Sequence, residues 1–156
     1  MDNQSCIDLL NAALDGTVNS VAQYFSISGA YVPPDFEEHM NTMERIRQEE
    51  AQMAHDINAA LYELDGAPKV GVFPYWNVDL NYLDARFMAR FAAQHQEKVV
   101  AALEDIESAR DNPKVHRLLS AILDQKRGHL AEMRAIAGVS DEADEAEEAE
   151  EASAEE

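Results

Sequence analysis

Apolar residues recur at intervals of three and four positions along four long stretches of the chain. This spacing places them on one face of an α-helix. It predicts helices over about residues 5–30, 36–65, 78–110 and 113–137. No stretch alternates β-branched with polar residues, as a half-buried strand would. The pattern therefore predicts an all-α protein.

Residues at the predicted helix ends support these boundaries. Asp35, with Glu38 three positions later, has the pattern of a capping box at the start of the second helix. Asn112 is expected to cap the fourth helix, with Pro113 at its first position, where proline is well tolerated. Residues 16–17 are Gly and Thr, which are poor helix formers, so the middle of the first helix is expected to be weak.

A long connection separates the second and third helices. Gly66 is a natural residue to follow a helix C-terminus, and residues 66–77 contain two prolines and two glycines. An extended chain of about twelve residues reaches about 40 Å, which is the length of a long helix. Such a connection crosses the whole bundle and predicts an up-down-down-up four-helix bundle. Phe73, Tyr75 and Trp76 are expected to lie against the bundle wall or against another subunit.

Charge divides the chain into two parts. Residues 140–156 contain ten of the 31 acidic residues and none of the 12 basic ones. This low-complexity run cannot bury enough apolar surface to order itself, so we expect a helical domain over residues 1–138 and an acidic, disordered tail over 139–156. The other 21 acids still exceed the 12 bases, and a chain of this charge repels phosphate backbones. Nucleic acid is therefore not an expected partner.

The remaining composition indicates a soluble cytoplasmic protein. Cys6 is the single cysteine, which excludes an internal disulfide framework and is typical of a reducing compartment. The N-terminus lacks a basic region followed by an apolar run, and no segment is apolar enough to span a bilayer. No membrane partner is expected.

Charged side chains lie on the apolar stripes of the predicted helices. The stripe of the fourth helix includes Lys126 and His129, that of the second includes Glu50, and that of the third is expected to include His95. Ionisable groups on a buried face are costly unless they meet a partner. These four residues are therefore the candidates for a polar site inside the bundle.

Several short segments, in order along the chain, resemble bacterioferritin. The resemblance covers about residues 9–136 and is carried by Leu9-Leu10-Asn11, Gln23-Tyr24-Phe25, Leu64-Asp65-Gly66-Ala67-Pro68, Ile122-Leu123 and His129-Leu130. It implies a ferritin-like four-helix bundle that assembles into dimers and often into a 24-subunit shell. The chain is therefore expected to form a homo-oligomer.

The resemblance also implies a di-iron centre, and most of its ligand positions are changed. The glutamate of the first helix corresponds to Thr17. The Glu-x-x-His pair of the second helix corresponds to Glu50 and Met53, and that of the fourth to Lys126 and His129. The glutamate of the third helix falls on Ala93 without gaps, or on His95 when the apolar faces are matched, and we prefer His95.

Two interpretations of this site remain open. In the structural one, Glu50 pairs with Lys126, and His129 is a hydrogen-bonded core histidine. In the metal-binding one, Glu50, His95 and His129 hold one iron or zinc ion, a two-histidine, one-carboxylate set. Two iron ions need about four carboxylates, so the ordinary ferroxidase reaction is not expected. Haem is not expected either, because the position of the bacterioferritin haem methionine corresponds to Ala51.

These interpretations lead to two hypotheses about function. The first is a bacterioferritin-like iron-handling protein whose di-iron centre is largely lost. The alternative is a metal-free structural or interaction module, a scaffold or a cargo protein, with a Glu50–Lys126 ion pair in its core and the acidic tail as a contact for a partner.

Overall fold

The computed structural model describes residues 3–72, 80–104 and 111–138. Within these ranges the regular structure is helical, as predicted. The helices are α1 (Asn3–Val18), α2 (Val21–Phe25), a 3₁₀ turn (Pro34–Phe36), α3 (Glu37–Glu63), α4 (Ala85–Leu103) and α5 (Pro113–Ala137). The described residues contain no β-strand, only an isolated bridge between Tyr31 and Asp84.

Two clusters of buried apolar residues show how the helices run. The beginning of α1, the second halves of α3 and α4 and the first half of α5 share one cluster, which includes Leu10, Ile57, Val100 and Leu119. The opposite ends of α3, α4 and α5 share the other cluster with α2, and this cluster includes Phe25, Met43, Met88 and Met133. Thus α3 and α4 run parallel to each other and antiparallel to α1 and α5. The predicted up-down-down-up bundle, with a crossover between α3 and α4, is confirmed.

The first predicted helix is broken in the structure. It ends at Val18, and α2 begins at Val21 with Ser20 as its N-cap. The prediction of one helix to residue 30 was therefore wrong. The break follows the poor helix formers at residues 16–17, and Gly16 is also the point of close approach to α4. A Cβ added to Gly16 would lie 3.0 Å from a methyl group of Val99.

Both ends of α3 differ from the prediction. Its N-cap residue makes no side-chain capping bond, so the predicted capping box of Asp35 and Glu38 does not form. Asp35 instead forms an ion pair with Arg86 of α4. At the other end, the residue with a positive φ is Asp65, at 55°, and not Gly66. A glycine at 66 is required by close packing instead. A Cβ on Gly66 would lie 2.9 Å from Cγ1 of Ile7.

Helix α4 begins later than predicted. Asp84 is its N-cap and accepts a hydrogen bond from the backbone N–H of Arg86 at 2.8 Å. Tyr82 has a positive φ of 62°, which a helix cannot contain. The ends of α5, in contrast, are as predicted. Asn112 accepts a hydrogen bond from the N–H of Val115 at 3.2 Å, and Pro113 is the first helical residue.

Some predictions concern residues outside the described ranges. Phe73, Tyr75 and Trp76 of the crossover belong to this group, as do the acidic tail at 139–156 and the end of the third predicted helix. The crossover is described up to residue 72 and lies along α1. Asn11 accepts from the N–H of Lys69 at 2.6 Å, and Asp15 accepts from the N–H of Gly71 at 2.7 Å. Among the described helices, none combines the length and the apolar character required to cross a membrane.

Candidate functional site

Buried polar residues lie between the two apolar clusters. Each of the four long helices contributes to this group, which we call the polar layer, and so does the break after α1. Along α3, α4 and α5, and along the chain from α1 to α2, the members fall between residues of one apolar cluster and residues of the other. The buried polar residues of the layer are Thr17, Ser20, Glu50, Gln96, Lys126 and His129.

An ion pair forms the centre of the polar layer. Nζ of Lys126 donates a hydrogen bond to Oε1 of Glu50 at 2.5 Å, and both side chains are 0 % exposed. The pair joins α3 to α5. Each charge is desolvated, so each depends on the other for its stability in the bundle interior.

The break between α1 and α2 serves the same carboxylate. The hydroxyl of Ser20 accepts a hydrogen bond from the N–H of Gln23 at 3.2 Å as the N-cap of α2, and it donates one to Oε2 of Glu50. The side-chain amide of Gln23 donates to the carbonyl of Arg47 at 2.8 Å and lies 3.4 Å from the same Oε2. Both oxygens of Glu50 are therefore engaged by donors from other elements.

His129 is fixed by a second glutamate of α3. Its Nε2 lies 2.6 Å from Oε2 of Glu49, and its ring is 2 % exposed. Glu49 also accepts from Arg45 at 2.8 Å. The hydrogen bond from Arg45, followed by that from His129, lowers the pKa of Glu49 from 4.5 to about 2. The other ring nitrogen of His129, Nδ1, is buried and has no hydrogen-bond partner among the described residues.

Two neutral side chains complete the polar layer. Gln96 of α4 donates from Nε2 to the backbone carbonyl of Lys126 at 3.1 Å. Thr17 donates its hydroxyl to the carbonyl of Ala13 at 2.8 Å, within its own helix. The layer thus contains one fully buried carboxylate and one fully buried ammonium, together with hydroxyl, amide and imidazole groups.

His95 was expected on the buried face of α4, but it is half-buried. Gln96 takes the buried position instead, together with Ala92, Ala93, Val99 and Val100. Burial lowers the pKa of His95, and the positive charge of Lys126 lowers it further, whereas Glu50 acts in the opposite direction. The pKa of His95 thus responds to both charges of the central ion pair.

The structure brings together some of the predicted site residues. Glu50 meets Lys126, as one of the two interpretations expected, and His129 meets Glu49 rather than Glu50. In the described ranges, no group of three or more His, Cys, Asp or Glu residues is arranged to hold a metal ion. Metal binding by Glu50, His95 and His129 stays a prediction.

Three residues of the site were not predicted from the sequence. Glu49 lies off the apolar stripe of α3, yet its side chain reaches α5. The signal for Ser20 is its preference for N-cap positions, together with the weak segment just before it. The signal for Gln96 is its spacing of three and four from Ala93 and Val100.

Comparison with known proteins gives one positive result. A model of the ferritin-like domain matches residues 7–142, which is most of the chain. The comparison with curated proteins and the comparison with solved structures each found no match.

Proposed function

Because the chain belongs to the ferritin-like domain family, we propose that it is a ferritin-like structural or interaction module without a ferroxidase centre. The observation that carries this proposal is the contact of 2.5 Å between Nζ of Lys126 and Oε1 of Glu50, both 0 % exposed. An ammonium group occupies the interior position where the resemblance to bacterioferritin implies iron ligands. The protein then acts through its surface rather than through chemistry in its core.

The donor set of the polar layer does not fit a di-iron centre. Two iron ions require about four carboxylates to bind them and to balance their charge. The layer offers Glu50 as its one fully buried carboxylate, and Lys126 neutralises it. Thr17, at the position of a ligand glutamate, uses its hydroxyl within α1. Paired iron oxidation inside the bundle is therefore not part of the proposal.

A second candidate is an iron-handling protein that holds a single iron or zinc ion through Glu50, His95 and His129. The observation that favours it is Nδ1 of His129, a buried nitrogen without a hydrogen-bond partner among the described residues. The ring nitrogens of histidine are common metal ligands. This candidate requires Lys126 to leave Glu50. The ammonium of Lys126 must then either stay near the metal ion, which it repels, or move to another position.

Metal analysis and iron oxidation separate the two candidates. The protein is purified without chelators, its iron and zinc are quantified by mass spectrometry, and its rate of ferrous oxidation in air is compared with that of buffer. For the structural module we expect substoichiometric metal and no acceleration. About one equivalent of metal, lost in Glu50→Ala and His129→Ala but retained in a variant of the exposed His55, would establish the second candidate and overturn the first.

A role through the surface also requires partners, and we propose further copies of the same chain. Large apolar side chains are exposed in and beside the two segments that pair at Tyr31 and Asp84. Their exposed fractions are 72 % for Ile27, 64 % for Tyr31, 83 % for Tyr82 and 51 % for Phe87. Exposed apolar groups of this kind are typical of association surfaces. Light scattering with Tyr82→Ser tests this. If copies of the chain associate through this region, the assembly formed by the variant should have a lower mass than that of the unmodified protein.

We propose a cytoplasmic location for this module. Cys6 is the single cysteine of the chain and is buried in the core, so the chain contains no internal disulfide, as is typical of proteins in reducing compartments. Fractionation of the native cells tests the location, and recovery outside the cytoplasm would contradict it.

A further inference from the structure

The geometry points to a site for a primary ammonium group at Glu50, which the chain fills with its own Lys126. This inference rests on the proposed function, because it takes Glu50 to be paired with an ammonium rather than with a metal. It goes further in assigning the site a ligand class. The site is a cation-binding site, and its occupant is tethered to α5.

The acceptor part of the site is held without help from Lys126. Oε2 of Glu50 is fixed by the hydroxyl of Ser20 and lies 3.4 Å from the amide of Gln23. Gln23 is itself anchored to the carbonyl of Arg47 at 2.8 Å. These donors belong to α2 and its cap, and Glu50 belongs to α3. The cation comes from a different helix, so none of these contacts of the acceptor involves the side chain of Lys126.

The arrangement of donors selects an ammonium over a metal ion. Because Oε2 accepts hydrogen bonds from Ser20 and Gln23, Oε1 is the oxygen left for a cation. A single anionic oxygen matches an N–H donor of a monovalent ammonium. Zinc and iron require several lone pairs around one point, and the hydroxyl and amide groups here direct hydrogens rather than lone pairs at the carboxylate.

The tether makes the native site inaccessible to soluble cations. A group linked to its site by a short chain has an effective concentration in the millimolar range or above, so free cations compete poorly. The Lys126 ammonium is also 0 % exposed, and exchange would require it to enter solvent. The side chain of Lys126 thereby prevents free cations from binding at Glu50.

Chemical rescue tests the inference. Lys126→Ala leaves a cavity beside Glu50, and cavities of this kind accept small molecules of matching shape. Propylammonium has the atoms that the substitution removes. We expect it to raise the melting temperature of Lys126→Ala in a saturable way, by about 4 °C at ten times its Kd. Neutral propanol of the same shape should give a smaller rise, and the unmodified protein should not respond to propylammonium.

The double variant Glu50→Gln with Lys126→Ala is the matched control, since it keeps the cavity and removes the anion. An equal response of this control, an equal effect of propanol, or stabilisation by zinc but not by propylammonium would overturn the inference. If Lys126→Ala does not fold in buffer, refolding is followed by circular dichroism. Refolding in propylammonium but not in propanol supports the inference, and failure in both overturns it.

These outcomes are distinct from the test of the proposed function. That test measures metal content and iron oxidation in the unmodified chain. A native protein without metal, combined with a Lys126→Ala variant that ignores propylammonium, would overturn the ammonium site alone. A native protein with one bound metal would overturn the proposed function whatever the variant does.

Discussion

Lys126 and Glu50 form an ion pair at 2.5 Å that joins α5 to α3 with neither side chain exposed to solvent. Removing one partner leaves a desolvated charge, which costs about 3–5 kcal/mol. We therefore expect Glu50→Ala to lower the free energy of unfolding by about this amount, measured by urea denaturation.

The matched control replaces both charges by neutral groups of similar volume. Buried ion pairs are often no more stable than such replacements. Glu50→Gln keeps an acceptor for Ser20, so Glu50→Gln combined with Lys126→Met should recover most of the loss caused by Glu50→Ala. A double variant as unstable as Glu50→Ala would show that the loss of stability in Glu50→Ala does not come from leaving Lys126 unpaired.

Ser20 has two hydrogen-bonding roles, as N-cap of α2 and as a donor to Glu50. Loss of a capping hydroxyl costs about 1 kcal/mol, and loss of a hydrogen bond to a charged group costs about 1.5–3 kcal/mol. Ser20→Ala should therefore destabilise the protein by about 2.5–4 kcal/mol in chemical denaturation. Ser28 is the control, because its hydroxyl is equally buried but bonds only to the nearby carbonyl of Phe25 among the described residues. An effect of Ser28→Ala as large as that of Ser20→Ala would contradict the second role.

Glu49 should make stability depend on pH in the acid range. Its pKa is lowered to about 2 by Arg45 and then by His129. A carboxyl whose pKa is depressed by folding stabilises the protein above its ordinary value of 4.5, and that contribution is lost as the pH falls from about 4.5 to about 2. Glu49→Gln should thus be less stable than the native protein at pH 7 and should lose less stability on acidification.

Glu44 provides the comparison for this pH dependence. Its pKa is also lowered to about 2, chiefly by Arg47, but it lies at the surface. Salt screens exposed pairs strongly and partly buried pairs less. In high salt the effect of Glu44→Gln on melting temperature should therefore disappear, whereas that of Glu49→Gln should persist. Equal salt sensitivity of the two variants would argue against the contact of Glu49 with His129.

Two glycines should respond oppositely to alanine. At Gly66 an added Cβ would lie 2.9 Å from Cγ1 of Ile7, so Gly66→Ala should destabilise by about 1–3 kcal/mol. At Gly128, inside α5, an added Cβ meets no described atom within 4 Å, so Gly128→Ala should stabilise by about 0.5–1 kcal/mol. Thermal unfolding measures both. The cost of Gly66→Ala should shrink in an Ile7→Ala background, and an unchanged cost would exclude this clash as its cause.

Periodicity in the sequence was enough to find the bundle and half of its polar centre. Lys126 and His129 lie on the apolar stripe of α5, and Glu50 on that of α3, so their burial followed from spacing alone. On α4 the choice failed because alanines at 89, 92 and 93 support two overlapping stripes, one through His95 and one through Gln96. Spacing cannot decide between them, since alanine is compatible with both faces.

Contacts between helices were harder to predict than the helices. Leu80 and Leu83 continue the helical spacing of α4 backwards, but the left-handed backbone at Tyr82 and the cap at Asp84 set its start. Glu49 lies off the apolar stripe of α3, so the periodicity of that helix does not indicate a role for it in the site. Its side chain is long enough to reach His129 on α5. The periodicity of a single helix gives no information about such a contact between helices.

The polar layer also has a mechanical consequence. Glu50 of α3 and Gln96 of α4 both contact Lys126 of α5, and each of these three residues lies between the two apolar clusters along its own helix. If one helix slid along another by a single turn, about 5.4 Å, Glu50 or Lys126 would face leucine and methionine side chains instead of its counterpart. The layer therefore sets the axial register of the bundle, which alanine-rich surfaces such as that of α4 leave loosely defined.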